Sequence, residues 1–147
     1  MHMAGRQYTE QEQANLEIAK KWVEYYNTDS DRMVREVYHP ELVVKTMGAG
    51  TYTGHDHFLK VERDVSEAAP RRRFRLDHVH VDGDTVIVEV ALLNPDMGDD
   101  WELYMAAVLI MEDGKIKYDR SFHNIGSEYP LWPGLENADP NRPTVEA

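Results

Sequence analysis

Residues 72–94 read RRFRLDHVHVDGDTVIVEVALLN. Apolar and polar side chains alternate on both sides of Asp82-Gly83. Period two points successive side chains to opposite faces of a strand. Asp-Gly is a hairpin pair, because glycine takes a positive φ at no steric cost. Paired outward from a two-residue turn, Asp77, Val79 and Val81 share a face with Val86, Val88 and Val90, and this face reads as core. His78, His80, Ile87 and Glu89 share the other, which is either a polar pocket wall or a subunit interface. Asp113-Gly114 repeats the signal downstream. Four strands are therefore expected, over 72–81, 85–94, 101–112 and 115–125, with Asn94 to Asp100 as a longer polar loop.

Upstream the period is 3.6. Over residues 10–27, Ile18, Trp22 and Tyr26 form a stripe with Ala19, Val23 and Tyr25 beside them, opposite Glu17, Lys20, Lys21 and Glu24. Asn27 to Ser30 ends that helix and offers caps for a short second one, with Met33, Val34, Val37 and Tyr38 inward. His39-Pro40 closes it, since the residue before proline is pushed out of the α region. A strand is expected from Leu42 to Met47, then a turn at Gly48-Ala49-Gly50 and a short extended piece over Thr51-Tyr52-Thr53. Thr53 with Asp56 gives capping-box spacing for a third helix, buried along Phe58, Leu59, Val61 and Val65. Helices fill the first half and strands the second, which is the α+β pattern.

Bulk properties narrow the function. At 147 residues the chain fits one domain with a real core. The charge of −11, from 27 acids against 16 bases, disfavours nucleic acid as a partner. The run Arg71-Arg72-Arg73-Phe74-Arg75 is the exception, a solvated strand edge or an anchor for an anionic group. Without cysteine there are no disulfides, thiolate nucleophiles or Cys-based metal sites. With no leader pattern and no apolar run of about 18 residues, a cytoplasmic protein without membrane contact is expected. Residues 1–9 read as a disordered start, with Met1-His2-Met3 an expression remnant. Residues 10–125 read as the domain, and 126–147 as an extended Pro-rich tail in which Leu131-Trp132-Pro133 is apolar enough to dock.

On the last strand Asp119, Ser121 and His123 share one face; Tyr118, Arg120 and Phe122 share the other. Outward from a two-residue Asp113-Gly114 turn, Tyr104 opposes His123, Ala106 opposes Ser121, and Val108 opposes Asp119. This is a polar row on an apolar wall, with room for a ligand above Ala106. Asp119 and His123 are roughly 13 Å apart along the strand, too far to touch but placed to act on two ends of one substrate. His78, His80 and Glu89 have a spacing a metal can use, but no dedicated signature accompanies them, and no metal is assigned.

Several segments carry a family resemblance: Trp22…Tyr26, the Val37-Tyr38-His39-Pro40 exit, Gly50 to Phe58, Val81 to Val86, and Asp113 to Ile116. Over residues 10–125 the chain resembles the SnoaL-like group of the NTF2-like superfamily, which holds polyketide cyclase-like, ketosteroid isomerase-like, scytalone dehydratase-like and epoxide hydrolase-like enzymes. It also holds cofactor-free lyases that release formaldehyde from lignin-derived aromatic dimers, and proteins without catalysis. The resemblance implies a cone of three helices on a curved, mostly antiparallel sheet, a homodimer, and a last-strand carboxylate in the cavity. Ser121 stands where that carboxylate usually sits, with Asp119 one same-face step away. The arginine–x–aspartate pair of the epoxide hydrolase-like members is absent from Val86 to Leu92.

The expected chemistry is that of a cofactor-independent lyase, isomerase or cyclase acting on a small, apolar, aromatic molecule, including a lignin-derived dimer. The alternative is a non-catalytic ligand-binding or dimerisation module. Asp119 reads as a general base raised by apolar surroundings, or as an ion-pair partner. His123 reads as an acid–base group or a rim histidine. Tyr104 reads as an oxyanion donor or a packed aromatic. Arg120 binds a carboxylate or phenolate, or forms a structural salt bridge. Trp22, Tyr26, Tyr38, Tyr52 and Phe58 line pocket and core together, Ser121 completes the polar row, and Trp101 covers the mouth. A homodimer is expected through the outer sheet face, where Tyr118, Phe122, Leu103 and Met105 would otherwise lie exposed.

Overall fold

Thr9 and Glu12 close the first turn of α1 (Glu10–Thr28) as a capping box, at 3.0 and 3.1 Å. The computed structural model describes residues 7–46 and 50–123. Expectations for the chain start, for the turn at Gly48-Ala49 and for the Pro-rich tail with Leu131-Trp132-Pro133 lie outside the described residues. Glu12 and the fully buried Asn15 also grip the turn at Gly83: Gly83 N donates to Glu12 Oε2 at 3.0 Å, and Asn15 Nδ2 donates to Gly83 O at 3.0 Å. Asn27, near the other end of α1, exchanges two hydrogen bonds with the backbone of Phe74, at 2.9 and 2.7 Å. The helix is thereby pinned along the sheet at both ends.

Asp29 accepts from Arg32 N and caps α2 (Ser30–Arg32), which widens into a π turn over Met33–Val37. Here the structure corrects the expected boundary. Tyr38 is not helical; it opens β1 (Tyr38–Thr46) with φ −94 and ψ 143. Pro40 favours extended backbone before it, and Tyr38 already pairs with Ile116. After β2 (Gly50–Thr53), helix α3 (His55–Ala68) starts from Gly54 at φ 78, with no side-chain cap. The capping box expected from Thr53 does not form, because Thr53 is paired in the sheet with Val43. Phe58, Leu59 and Glu62 are the buried residues of α3, whereas Val61 is half-buried and Val65 exposed.

β3 (Arg73–Asp82), β4 (Thr85–Leu93), β5 (Glu102–Glu112) and β6 (Lys115–His123) form the meander. The six strands make one curved, unclosed sheet in the order β2-β1-β6-β5-β4-β3, antiparallel except for the β1–β6 pair. The helices cover its inner face, and the core lies between them around Trp22, Met33, Val34, Leu42, Val88 and Leu109. This is the α+β cone the sequence implies. Among the described residues, no helix is long and apolar enough to cross a membrane.

Two bulges alter the expected faces. In β3 the register shifts between Leu76 and His78, so Leu76, not Asp77, pairs with Val90. In β6 the register shifts at Lys117, so Ile116 and Asp119, three residues apart, are both buried. Beyond that point Leu109 faces Asp119, Ala107 faces Ser121 and Met105 faces His123. A one-residue slip exchanges the two faces of a strand. Tyr104 therefore stands on the outer face, 53% exposed, and the Tyr104–His123 opposition is not made. Met105, expected outside, packs against the core. The outer face instead exposes Ile87, Tyr104, Tyr118 and Phe122.

Candidate active site

Between the helices and the inner sheet face lies a cavity of about 200 Å³. Its wall is aromatic: Trp22, Tyr26, Tyr38, Tyr52, Phe58 and Phe74 all line it. Tyr26 stacks on Phe74 with ring centroids 3.8 Å apart, and Tyr38 meets Phe58 edge-on at 4.9 Å. Met33, Leu92 and Met105 add aliphatic surface. The polar members are Asp119, Ser121, Thr46 and Glu62 with the tyrosine hydroxyls.

Asp119 is the centre of a buried chain of hydrogen bonds. Trp22 Nε1 donates to Tyr38 Oη at 2.9 Å, and Tyr38 Oη donates to Asp119 Oδ2 at 2.6 Å. Ser121 Oγ donates to Asp119 Oδ1 at 2.8 Å. Burial raises the Asp119 carboxyl above the ordinary aspartate range, and the bonds from Tyr38 and Ser121 only partly offset it. Burial and the neighbouring Asp119 charge push the Tyr38 phenol well above its usual value, so it stays a proton donor.

A second polar group joins α1, α3 and the turn that leads into β3. Arg72 Nε donates to Tyr26 Oη at 3.0 Å, its Nη2 to Ser66 Oγ at 2.9 Å, and its Nη1 to Ala69 O at 3.2 Å. Tyr26 accepts this bond but donates none to the described residues. Burial pushes the Tyr26 phenol up to about 12. Glu62 is 9% exposed and its carboxyl is raised to about 7, chiefly by burial; the Arg72 charge opposes the rise and Asp119 adds to it.

The structure thus gathers Trp22, Tyr26, Tyr38, Tyr52, Phe58, Asp119 and Ser121 into one cavity. It places four other candidates elsewhere. Tyr104 is on the outer face beside Asp77, His78 and Glu89. Arg120 is exposed on that same face, opposite Val108. Trp101 lines a separate hollow with Arg73, Asn94 and Pro95. His123 follows Ser121 on the inner face but does not line the cavity; its Nδ1 is buried without a hydrogen-bond partner among the described residues. His78 and His80 lie on the outer face, and His80 Nε2 meets Glu89 Oε2 at 2.7 Å. The basic run divides: Arg71 pairs with Asp96, Arg75 with Asp77 and Glu102, and only Arg72 turns inward.

Sequence reading missed Glu62, whose one available signal was a carboxylate in the stripe of Phe58, Leu59 and Val65. It also missed Phe74, visible only as an apolar residue within the arginine run.

His39, Glu112 and Asp113 bring their ligand atoms within 4.8 Å of one another. His39 Nδ1 accepts from Glu41 N at 3.0 Å, which leaves its proton on Nε2, facing the two carboxylates. Lys117 Nζ lies 3.7 Å from Glu112. The corner is a set of ion pairs and hydrogen bonds whose donors already face the acids.

Residues 19–118 match the SnoaL-like domain family, and the chain belongs to it; its architecture is that of the NTF2-like superfamily. No curated protein matches it by sequence. Among solved structures it is similar to a proposed SnoaL-like polyketide cyclase from Jannaschia sp. CCS1, with TM-score 0.71, 18% identity, and 82% of this chain and 92% of that chain covered. A proposed ketosteroid isomerase from Kribbella flavida DSM 17836 gives TM-score 0.67 at 17% identity, over 90% and 92% of the two chains. An LEH-like epoxide hydrolase of M. tuberculosis gives 0.61 at 17%, over 76% and 84%. At these identities the likeness speaks for the fold.

Proposed function

We propose that this protein is a cofactor-independent acid–base enzyme, of isomerase, cyclase or lyase type, acting on a small and largely apolar aromatic molecule. The observation that carries the reading is Asp119: a buried carboxylate in an aromatic cavity, both oxygens held by hydroxyl donors, its basicity raised by burial. Tyr38 and Ser121 fix the carboxylate, leaving lone pairs that can face a ligand. Asp119 removes a proton from a carbon acid, and the electron pair moves into the adjoining carbonyl or ring. The new carboxylic acid then returns the proton at another atom, so the isomerisation balances without a cofactor. Tyr26, rather than Tyr104, donates to the developing negative charge, because its proton is uncommitted and Arg72 polarises its oxygen.

The named relatives support this class. Cyclases, ketosteroid isomerases and epoxide hydrolases are activities ascribed to those proteins, and this chain shares their fold. The cavity of about 200 Å³ is below the roughly 300–1,000 Å³ usual for drug-sized ligands, which favours a one-ring or compact two-ring substrate over a lignin-derived dimer. A panel of enones, hydroxylated aromatic ketones and lignin-derived dimers, followed by mass spectrometry, tests the reading. Turnover of a panel member, lost in Asp119→Asn, is the expected result. Tight binding of panel members without turnover by the wild-type protein would replace the enzyme with a ligand-binding module.

A further inference from the structure

Glu62 projects from α3 into the cavity that holds Asp119. It is 9% exposed; its Oε2 is fully enclosed and has no hydrogen-bond partner among the described residues. The Arg72 and Ser66 donors beside it are committed elsewhere. Arg72 Nη2 stands 3.8 Å away, an ion pair without a hydrogen bond, while the guanidinium is held by Tyr26, Ser66 and Ala69. The Ser66 hydroxyl donates to the backbone carbonyl of Glu62 at 2.8 Å, not to its carboxylate. Buried acceptors are nearly always satisfied, and a bare one is costly. Oε2 is too enclosed beside Arg72 for a ligand to reach; Oε1, which also has no donor among the described residues, is the oxygen that can meet a ligand in the cavity.

We infer that Glu62 is a substrate-binding residue that accepts a hydrogen bond from a neutral hydroxyl or N–H group on the aromatic molecule filling the cavity. The inference deepens the proposed function and rests on its reading of the cavity as a small-molecule site. It names the substrate class as phenols, aromatic alcohols or their N–H counterparts. Anionic ligands are disfavoured, because two acidic side chains and no lysine or arginine line the cavity among the described residues. With its carboxyl at about 7, Glu62 is ionised in most molecules at pH 8, where it is an acceptor only.

The test compares p-cresol with 4-methylanisole, which keeps the shape and the oxygen but has no donor, and with p-toluate, which is anionic. Affinities are measured at pH 8 by calorimetric titration for the wild-type protein, Glu62→Met and Asp119→Asn. The wild type is expected to bind p-cresol about tenfold more tightly than 4-methylanisole, the scale of a hydrogen bond to a charged acceptor, and p-toluate more weakly than either. The preference should vanish in Glu62→Met and persist in Asp119→Asn. Should Glu62→Met not fold, Glu62→Gln is expected to shrink the preference, since a neutral amide is a weaker acceptor. Equal binding of cresol and anisole by the wild type, no binding of either at millimolar concentration, or a preference untouched by both Glu62 variants would overturn the inference. A preference lost in Asp119→Asn and kept in Glu62→Met also overturns it, while leaving the proposed catalysis standing. A Glu62-dependent preference without turnover does the reverse.

Discussion

The Tyr38 hydroxyl donates to Asp119 Oδ2 across 2.6 Å, joining the first residue of β1 to the fifth of β6 over 81 positions of sequence. This bond favours the ionised form of Asp119 against the opposing effect of burial. Asp119→Asn is expected to lower kcat by about 10²- to 10⁴-fold, the range for loss of a general base. Tyr38→Phe removes a bond that holds the carboxyl down, so the acidic limb of kcat/KM against pH should move to higher pH. It also orphans Trp22 Nε1, at a cost of about 1–3 kcal/mol. A limb that stays in place or moves to lower pH would contradict Asp119 as the base.

The proposed function gives Tyr26 the oxyanion role that the sequence suggested for Tyr104. Tyr104→Phe, on the outer face, should change turnover by less than about twofold, as surface substitutions away from a site do. Tyr26→Phe removes the uncommitted phenol and should lower kcat by about tenfold or more. Steady-state kinetics on both variants decides between them, and the opposite pattern would return the oxyanion role to the outer face.

Glu62 makes stability fall as pH rises. Its carboxyl moves from 4.5 in the unfolded chain to about 7 in the folded one, so the native state binds the proton more tightly. The associated stability is fully present below about pH 4.5 and is lost as pH rises through about 7, roughly 3 kcal/mol in all. Asp119, also raised by burial, acts in the same direction. Urea midpoints between pH 4.5 and 8 should fall more steeply for the wild type than for Glu62→Gln. Parallel curves would rule the mechanism out.

Asn27 serves as the latch between α1 and β3 through its two hydrogen bonds to Phe74. Asn27→Ala leaves a backbone N–H and a C=O without these partners and should cost about 1–3 kcal/mol. Because Phe74 stacks on Tyr26 in the cavity wall, ligand affinity should fall as well. Chemical denaturation and titration with p-cresol check the two effects separately; an unchanged denaturation midpoint would show that the latch carries no load.

The outer face exposes Ile87, Tyr104, Tyr118 and Phe122 on neighbouring strands, and a homodimer through this face is the expected state. Sedimentation should give a dimer mass for the wild type and a monomer mass for Phe122→Lys combined with Tyr118→Lys. A monomer mass for the wild type at every concentration would refute it.

Helix and strand order were legible because both periodicities are local. Trp22 and Tyr26 share a helical stripe whatever lies opposite, and Val86, Val88 and Val90 share a strand face by geometry alone. Asp119 and Ser121 were legible as a pair for the same reason. The partners of β5 were not. Hairpin arithmetic from Asp113-Gly114 holds for the first pairs, Glu112 with Lys115 and Met111 with Ile116, and fails at the Lys117 bulge. A bulge leaves no fixed mark in sequence, yet it moved Tyr104 from the cavity wall to the outer face. Glu62 was hidden because a carboxylate in a helical stripe looks like a boundary residue until its surroundings are known.

The sequence by itself determined the layers: three helices, a sheet paired through two Asp-Gly turns, an aromatic lining and an acidic residue on the last strand. These follow from side-chain direction and turn chemistry, which act over a few residues. Tertiary structure alone decided which polar groups meet. Bonding Tyr38 to Asp119 requires the parallel pairing of β1 with β6, and seating Glu62 beside Arg72 requires the turn at Ala69–Arg72 to bring the guanidinium back over α3. The first depends on long-range register, where one residue of slip reverses a face; both depend on burial, which sets the proton affinity of each carboxylate.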